Sequence, residues 1–212
     1  MEMKNNIYFV SGIDTGIGKS YATGLIAKQW NAKGLRTITQ KLVQTGNTAI
    51  SEDIILHREL MGIPFTQDDQ EKITMPEIFS YPASPHLAAQ IDKREINFEK
   101  IRQATAQLSQ RYDAVLVEGA GGLMVPLAED YLIIDYIKEM GYPLLFVTSG
   151  KLGSINHTLL SLEAIAKRGI NLHTVIYNTF PVLEDSTIST ETQRYLHNYI
   201  QKHFPETKFI SL

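Results

Sequence analysis

Residues 7–20 read Ile7-Tyr8-Phe9-Val10-Ser11-Gly12-Ile13-Asp14-Thr15-Gly16-Ile17-Gly18-Lys19-Ser20. The first four form a short continuous apolar run, as a strand buried on both faces requires. A helix-like segment follows from about Gly18 to Ala32, with Tyr21, Ala22, Leu25, Ile26 and Trp30 on one stripe at helical spacing. A strand, a glycine-rich loop ending in Lys-Ser, and then a helix make the context of a phosphate-binding P-loop. Glycines let backbone N–H groups turn inward around phosphate oxygens. The helix N-terminus adds a partial positive charge and free donors. Lys19 is then expected to reach the β- and γ-phosphates, and the Ser20 hydroxyl to take one Mg²⁺ position. Five residues separate Gly12 from Gly18, one more than in the general pattern.

Outward from this loop, short β-branched runs alternate with longer amphipathic ones. Strands are expected at Arg36–Lys41, Ala114–Val117, Pro143–Thr148, Leu172–Tyr177 and Lys208–Ser211. Helices are expected at Ser51–Gly62, with Ser51 as N-cap, at Leu132–Met140 and at Gly153–Arg168. Two more are outlined by Phe98, Ile101, Thr105 and Leu108, and by Ile188, Thr192, Tyr195, Leu196, Tyr199 and Ile200. Residues 63–90 are broken by Pro64, Pro76, Pro82 and Pro85 and give little pattern beyond a short helix near Leu87–Gln90. The alternation predicts an α/β fold: one domain over residues 1–212, a parallel sheet with helices on both faces. Function is then expected at the carboxyl ends of the strands.

Composition narrows the chemistry. The 212 residues are 43% hydrophobic and 20% charged, enough for a buried core. Twenty Lys and Arg against 23 Asp and Glu leave a charge of −3, which argues against a nucleic-acid binder. There is no cysteine, so a thiol nucleophile, a disulfide and a Cys-ligated metal are excluded. No Gly-x-Ser-x-Gly elbow is present, which argues against a covalent hydrolase. No apolar stretch approaches the ~20 residues of a membrane span, and no signal-like segment precedes Ile7. The expected compartment is the cytoplasm, with no membrane partner.

A second motif, Val117-Glu118-Gly119-Ala120-Gly121-Gly122, puts a carboxylate at the end of a buried strand. In a P-loop protein that is the place for a magnesium-side acid; the glycines after it allow close backbone approach of a ligand. Asp53 falls in the first turn of the Ser51 helix, where an acid also simply complements the helix dipole. Lys41 ends the second strand, where a lysine can equally be solvent-facing. His57, His173, His197 and His203 show no metal-ligand spacing and read as surface or helix-face residues. Trp30, Tyr195 and Tyr199 read as core.

Together the long P-loop, Lys41-Leu42-Val43-Gln44-Thr45-Gly46, Ser84-Pro85-His86, the Glu118 motif and Lys151-Leu152-Gly153-Ser154-Ile155-Asn156-His157 resemble the dethiobiotin synthetase family, over residues 7 to about 178. The resemblance implies an ATP- and Mg²⁺-dependent cyclo-ligase of biotin synthesis. Its substrates would be 7,8-diaminopelargonic acid and CO₂ or bicarbonate. A carbamate forms on one amine, ATP activates it as a carbamic–phosphoric anhydride, and the second amine closes the ureido ring. The resemblance assigns Lys19, Lys41 and Thr15 to catalysis. It gives the nucleotide to Gly12, Asp14, Thr15, Gly16, Ile17, Gly18, Lys19, Ser20, Glu118 and Asn178, with Asn178 at the adenine. Mg²⁺ falls to Ser20, Asp53 and Glu118. The substrate falls to Lys41, Thr45, Gly121, Leu152, Gly153 and Asn156, the last three serving its carboxylate end across a homodimer interface.

There are departures from the family pattern. Gly16 replaces an acid found in some members, Leu42 a common proline and Thr45 a serine. A Gly-x-Ile-Pro-like stretch near the base has no counterpart before Ile210-Ser211-Leu212. A partitioning-type ATPase would carry a signature lysine where Asp14 stands, and a GTP switch would need Asn-Lys-x-Asp where Asn178-Thr179-Phe180-Pro181 stands. Another amide-forming P-loop ligase, of the cobyrinate type, would need room for a glutaminase partner.

Overall fold

A parallel sheet needs a crossover to return each strand to the same end, and this chain supplies one between successive sheet strands. The computed structural model describes residues 6–180 and 186–212. In chain order the elements are β1 (Ile7–Gly12), α1 (Lys19–Ala32), β2 (Thr37–Lys41), β3 (Gln44–Thr45), α2 (Glu52–Met61), α3 (Gln67–Gln70), β4 (Ile78–Phe79), α4 (Pro85–Ile91) and α5 (Phe98–Arg111). They continue as β5 (Ala114–Gly122), β6 (Pro126–Ala128), β7 (Tyr131–Leu132), α6 (Ile133–Met140), β8 (Leu144–Ser149), α7 (Ser154–Arg168), β9 (Leu172–Asn178), α8 (Ser186–His203) and β10 (Lys208–Ser211).

Six strands form one parallel sheet in the order β10-β9-β8-β1-β5-β2. The chain leaves central β1 for β2, returns to fill the gap with β5, then crosses to β8 and moves outward. The reversal falls beside β1, so a crevice opens beyond its carboxyl end. Alternate residues supply two cores, as the period of two in a strand dictates. Val10, Leu116, Leu145, Val147 and Ile176 pack with Ile26 and Met61 of α1 and α2. Phe9, Val115, Val117, Phe146 and Val175 pack on the opposite face with Ile101, Leu108, Ile134 and Leu162. Both faces are covered, which is why the central strands read as unbroken apolar runs. Among the described residues no helix is long and apolar enough to cross a membrane.

The expected elements are present, with ends shifted by a residue or two. Ser51 caps α2, its hydroxyl accepting from Ile54 N–H. Two expectations need correction. The strand expected to stop at Val117 continues through Glu118 to Gly122, because β1 pairs alongside it as far as Gly12↔Gly122. Tyr195 is exposed rather than core, whereas Tyr199 packs against the larger core. Trp30 is partly buried, edge-on to Tyr8 at 5.0 Å.

Within residues 63–79, one buried carboxylate organises residues 66–74. Asp69 accepts from Arg58 Nε and Nη2, both at 2.8 Å, from the Thr66 backbone at 2.7 Å and from the Thr74 hydroxyl at 2.6 Å. Ile73 and Glu77 carbonyls then receive Gln40 Nε2 and Gln44 N–H, tying the segment to β2 and β3. Such non-local bonds leave no periodic trace, and the prolines mask the short elements α3 and β4.

Burial works to raise the Asp69 carboxyl pKa, but the Arg58 hydrogen bonds and charge outweigh it and hold it below 3.8. A depressed carboxyl stabilises the fold above its unfolded-state pKa, and that stability is lost as pH falls through the folded value. Asp69→Asn leaves the Arg58 charge buried without a counter-charge, and the expected loss is about 3–5 kcal/mol. Urea midpoints should show this gap from wild type at neutral pH and a narrower gap in acid. An equal gap at both would assign the loss to packing instead.

Candidate functional site

The P-loop backbone is shaped for a buried lysine at its base. Gly18 ends the loop at φ 94°, in the left-handed region. A Cβ there would lie 2.1 Å from Asn178 Nδ2. Lys19, the first residue of α1, is 7% exposed and donates from Nζ to the Asp14 carbonyl at 2.7 Å, spanning the loop. Burial pushes its ammonium down to about 8, with Glu118 opposing and Lys41 adding to the fall.

Register places the next charges. β2 and β5 pair so that Lys41 lies beside Glu118, and both side chains share the α1–α2 side of the sheet with Thr39 and Leu116. Lys41 Nζ donates to Glu118 Oε1 at 2.8 Å, to Asp53 Oδ2 at 2.5 Å and to the Gly119 carbonyl at 3.2 Å. Burial works against charge on both Lys41 and Glu118. Their mutual attraction, with Asp53 adding to the lysine's side, overrides it. The ammonium is held above its ordinary range and the carboxyl well below.

Ser20, in the first turn of α1, brings its hydroxyl within 2.7 Å of Asp53 Oδ1 and 2.8 Å of Glu118 Oε1. One hydroxyl carries one hydrogen, so it can satisfy only one of these oxygens at a time. Three oxygens, two from acids and one from a hydroxyl, therefore converge, a donor set that fits a hard divalent cation such as Mg²⁺. Among the described residues no cluster of three or more His, Cys, Asp or Glu forms a closed metal cage. A site of two acids and a hydroxyl, completed by phosphate and water, is the usual magnesium arrangement.

These groups open into a cavity of about 920 Å³. Of the sequence-derived residues, Thr15, Gly16, Gly18, Lys19, Ser20, Lys41, Thr45, Asp53, Glu118, Gly121 and Asn178 line it. Gly12, Asp14 and Ile17 do not. Asp14 is exposed and caps Thr15 N–H through Oδ1 at 2.7 Å, while the Ile17 side chain is in the core. Leu152, Gly153 and Asn156 lie exposed at the start of α7, outside this cavity, with Leu152 91% exposed. Asn178 donates both amide hydrogens internally, to Ile17 O at 3.0 Å and Phe180 O at 2.8 Å. As observed it steadies the P-loop instead of offering those hydrogens to a base. Of the glycines after Glu118, Gly122 admits the protein's own loop, since a Cβ there would lie 3.3 Å from the Ile13 carbonyl, whereas Gly119 makes room for Phe9.

Some contributors had no role assigned from the sequence, although Ser84 and Pro85 belong to a stretch that carries the family resemblance. Pro82, Ala83, Ser84 and Pro85 form one wall, and Tyr21 stacks on Phe180 at 5.4 Å where both border the cavity. His57, expected at a surface or helix face, is completely buried; its Nε2 is 2.8 Å from Glu118 Oε2. The available signal was its spacing, four residues after Asp53 and within the buried stripe Ile54, His57, Arg58 and Met61. His86 borders a second cavity of about 580 Å³.

Comparison with known proteins gives the family and the fold. The AAA domain family model matches residues 6–205. The chain is 54% identical over 204 residues to "ATP-dependent dethiobiotin synthetase BioD 2" of Haemophilus ducreyi, covering 96% of each chain. It is 49% identical over 203 residues to the protein of the same name from Pasteurella multocida, covering 96% of this chain and 95% of the other. It is 47% identical to "ATP-dependent dethiobiotin synthetase BioD" of Chlorobaculum tepidum, covering 99% and 88%. Among solved structures, pNOB8 ParA bound to nonspecific DNA superposes with a TM-score of 0.54 at 17% identity, over 98% of this chain and 86% of the other. The signal recognition particle receptor FtsY from Elizabethkingia anophelis gives 0.54 at 16% identity, over 98% and 58%. At those identities the likeness is one of fold.

The lowered Lys19 value makes anion binding pH-dependent. Above about 8 the free protein loses the Lys19 proton and with it the attraction for phosphate. Triphosphate affinity should fall as pH rises through that value, and binding there should take up a proton. Calorimetry in buffers of different ionisation enthalpy reads both effects. Lys19→Arg, if it binds at all, should flatten the alkaline limb; a limb unchanged in that variant would assign it to another group.

Proposed function

This chain belongs to the ATP-dependent dethiobiotin synthetase family, and from that premise we propose that it closes the ureido ring of dethiobiotin from 7,8-diaminopelargonic acid and CO₂. The observation that carries the reading is the meeting of Lys19, Lys41, Ser20, Asp53 and Glu118 at one end of one cavity. In the proposed sequence, one substrate amine takes up CO₂ as a carbamate. A carbamate oxygen attacks the γ-phosphorus of ATP and ADP leaves. The second amine then attacks the carbamoyl carbon, phosphate leaves, and the ring closes.

Nothing in this chemistry asks a side chain to become covalently attached. It asks for positioning and for cations where negative charge gathers. Lys19 suits the γ-phosphate, being at the base of the loop. Lys41 suits the carbamate and the transferring phosphoryl group, because Glu118 and Asp53 keep it charged despite complete burial. Thr15 and Gly16 border the same space, and the Thr45 hydroxyl and Gly121 are available to the diamine end. Ser20, Asp53 and Glu118 would hold Mg²⁺, which neutralises phosphate charge and fixes the nucleotide's geometry when bound.

The far end of the substrate needs other partners. Leu152, Gly153 and Asn156 are exposed where α7 begins, a helix N-terminus suited to a carboxylate. Their distance from the lining of this cavity supports a homodimer in which they complete the neighbouring subunit's site. Use of ATP goes with a cytoplasmic location. The partitioning-type alternative draws only on the shared fold, and Asp14 stands where that class needs lysine.

The test is phosphate release from Mg·ATP and bicarbonate with and without the diamine, with product followed by mass. Release that requires the diamine and matches product one for one is expected. Nucleotide binding without diamine-dependent release would discard the substrate and keep the P-loop. Lys19→Ala should abolish turnover, since it removes the cation proposed for the γ-phosphate. Glu118→Gln should raise the Mg²⁺ concentration needed for half-maximal rate; an unchanged titration would make that acid purely structural.

A further inference from the structure

Behind Glu118, away from the cavity, three buried side chains form one hydrogen-bonded row. His57 Nε2 lies 2.8 Å from Glu118 Oε2, and His57 Nδ1 lies 3.0 Å from Thr39 Oγ1. Arg58 Nη1 donates to that same Thr39 oxygen at 2.7 Å. The row joins three of the four elements that carry the charged groups of the site. Thr39 is on β2 with Lys41, His57 on α2 one turn from Asp53, and Glu118 on β5.

Pairing every buried hydrogen sets the direction of each bond. A guanidinium can only donate, so Arg58 occupies an acceptor position of the Thr39 hydroxyl. The remaining partner of that hydroxyl among the described contacts is His57 Nδ1, so its hydrogen points there. Nδ1 is then the acceptor and the ring hydrogen sits on Nε2, facing Glu118. Arg58 brings no charge to the site, because Asp69 takes its Nε and Nη2 as a bidentate pair. Glu118 Oε2 thus receives one hydrogen bond, from His57 Nε2–H, while Oε1 remains turned to Lys41 and Ser20.

We propose that His57 is a positioning residue for Glu118, held with Nε2–H toward the carboxylate by Thr39 and Arg58 so that it fixes the orientation of Oε2 and leaves Oε1 facing the site. An apolar residue would leave Oε2 buried without a donor, at a cost large enough to turn the carboxylate. This inference rests on the reading of Glu118 as the metal-side acid.

Nuclear magnetic resonance of the intact protein with ring-labelled histidine tests it directly, the His57 signals being those missing in His57→Gln. A pyridine-type Nδ1 and a pyrrole-type Nε2 are expected, and Thr39→Val should shift them. A pyrrole-type Nδ1, or two protonated nitrogens, overturns the proposal. Titration calorimetry of Mg²⁺ with the ATP-bound protein gives the functional arm. His57→Leu should weaken metal binding by about 10-fold or more, with metal-free ATP binding little changed. His57→Gln, whose amide can donate from the same place, should restore most of the loss. Equal loss in both variants, or none in either, overturns the proposal; should His57→Leu not fold, His57→Gln and Thr39→Val still decide it. If Glu118→Gln leaves metal binding unchanged, the metal reading of Glu118 fails. If Glu118→Gln weakens it and His57→Leu does not, only the His57 inference fails.

Discussion

A fully buried carboxylate at the end of the central sheet is the constraint to which the other site residues answer. Glu118 has no contact with solvent, and an isolated charge so placed would take up a proton. Lys41, Ser20 and His57 prevent that, each from a different element. A buried ion pair of this kind is weak evidence for stability, since desolvation offsets most of the attraction. Its value here is electrostatic: it keeps two opposite charges fixed and dry beside a phosphate-binding loop, where charge acts most strongly.

That arrangement depends on sheet register. Because side chains alternate along a strand, a one-residue slip of β2 against β5 would turn Lys41 to the other face and leave Glu118 without its ammonium. The apolar residues on both faces specify the register, so the site inherits its precision from the two cores. α2 contributes by a different period. Its sheet-facing stripe mixes Ile54 and Met61 with His57 and Arg58, and so delivers hydrogen bonds to strands that would otherwise meet only apolar surface.

The unusual polarity of that stripe has a structural consequence. Arg58 is shared between Thr39 and Asp69, and Asp69 in turn organises residues 66–74. The segment least regular in sequence is therefore tied to the same buried network that borders the site. Gln44 links β3, which carries Thr45, to Ser51 at the cap of α2, which carries Asp53.

The sequence by itself determined the strand–helix alternation, the P-loop and the acidic strand end, because each is local: a period, a glycine pattern, a charge after an apolar run. It also carried Lys41, Asp53 and Thr45 as family positions, though nothing local separated the first two from a solvent-facing lysine and a helix-capping acid. Tertiary structure alone decided that Lys41 and Asp53 meet over Glu118, since strand order and register bring together residues as far apart as 41 and 118. It alone turned His57 from an expected surface histidine into a buried partner of the central carboxylate, and Asn178 into a brace for the P-loop at Ile17. A hydrogen bond between distant segments has no period and no motif; it exists only once the sheet has fixed where each backbone runs.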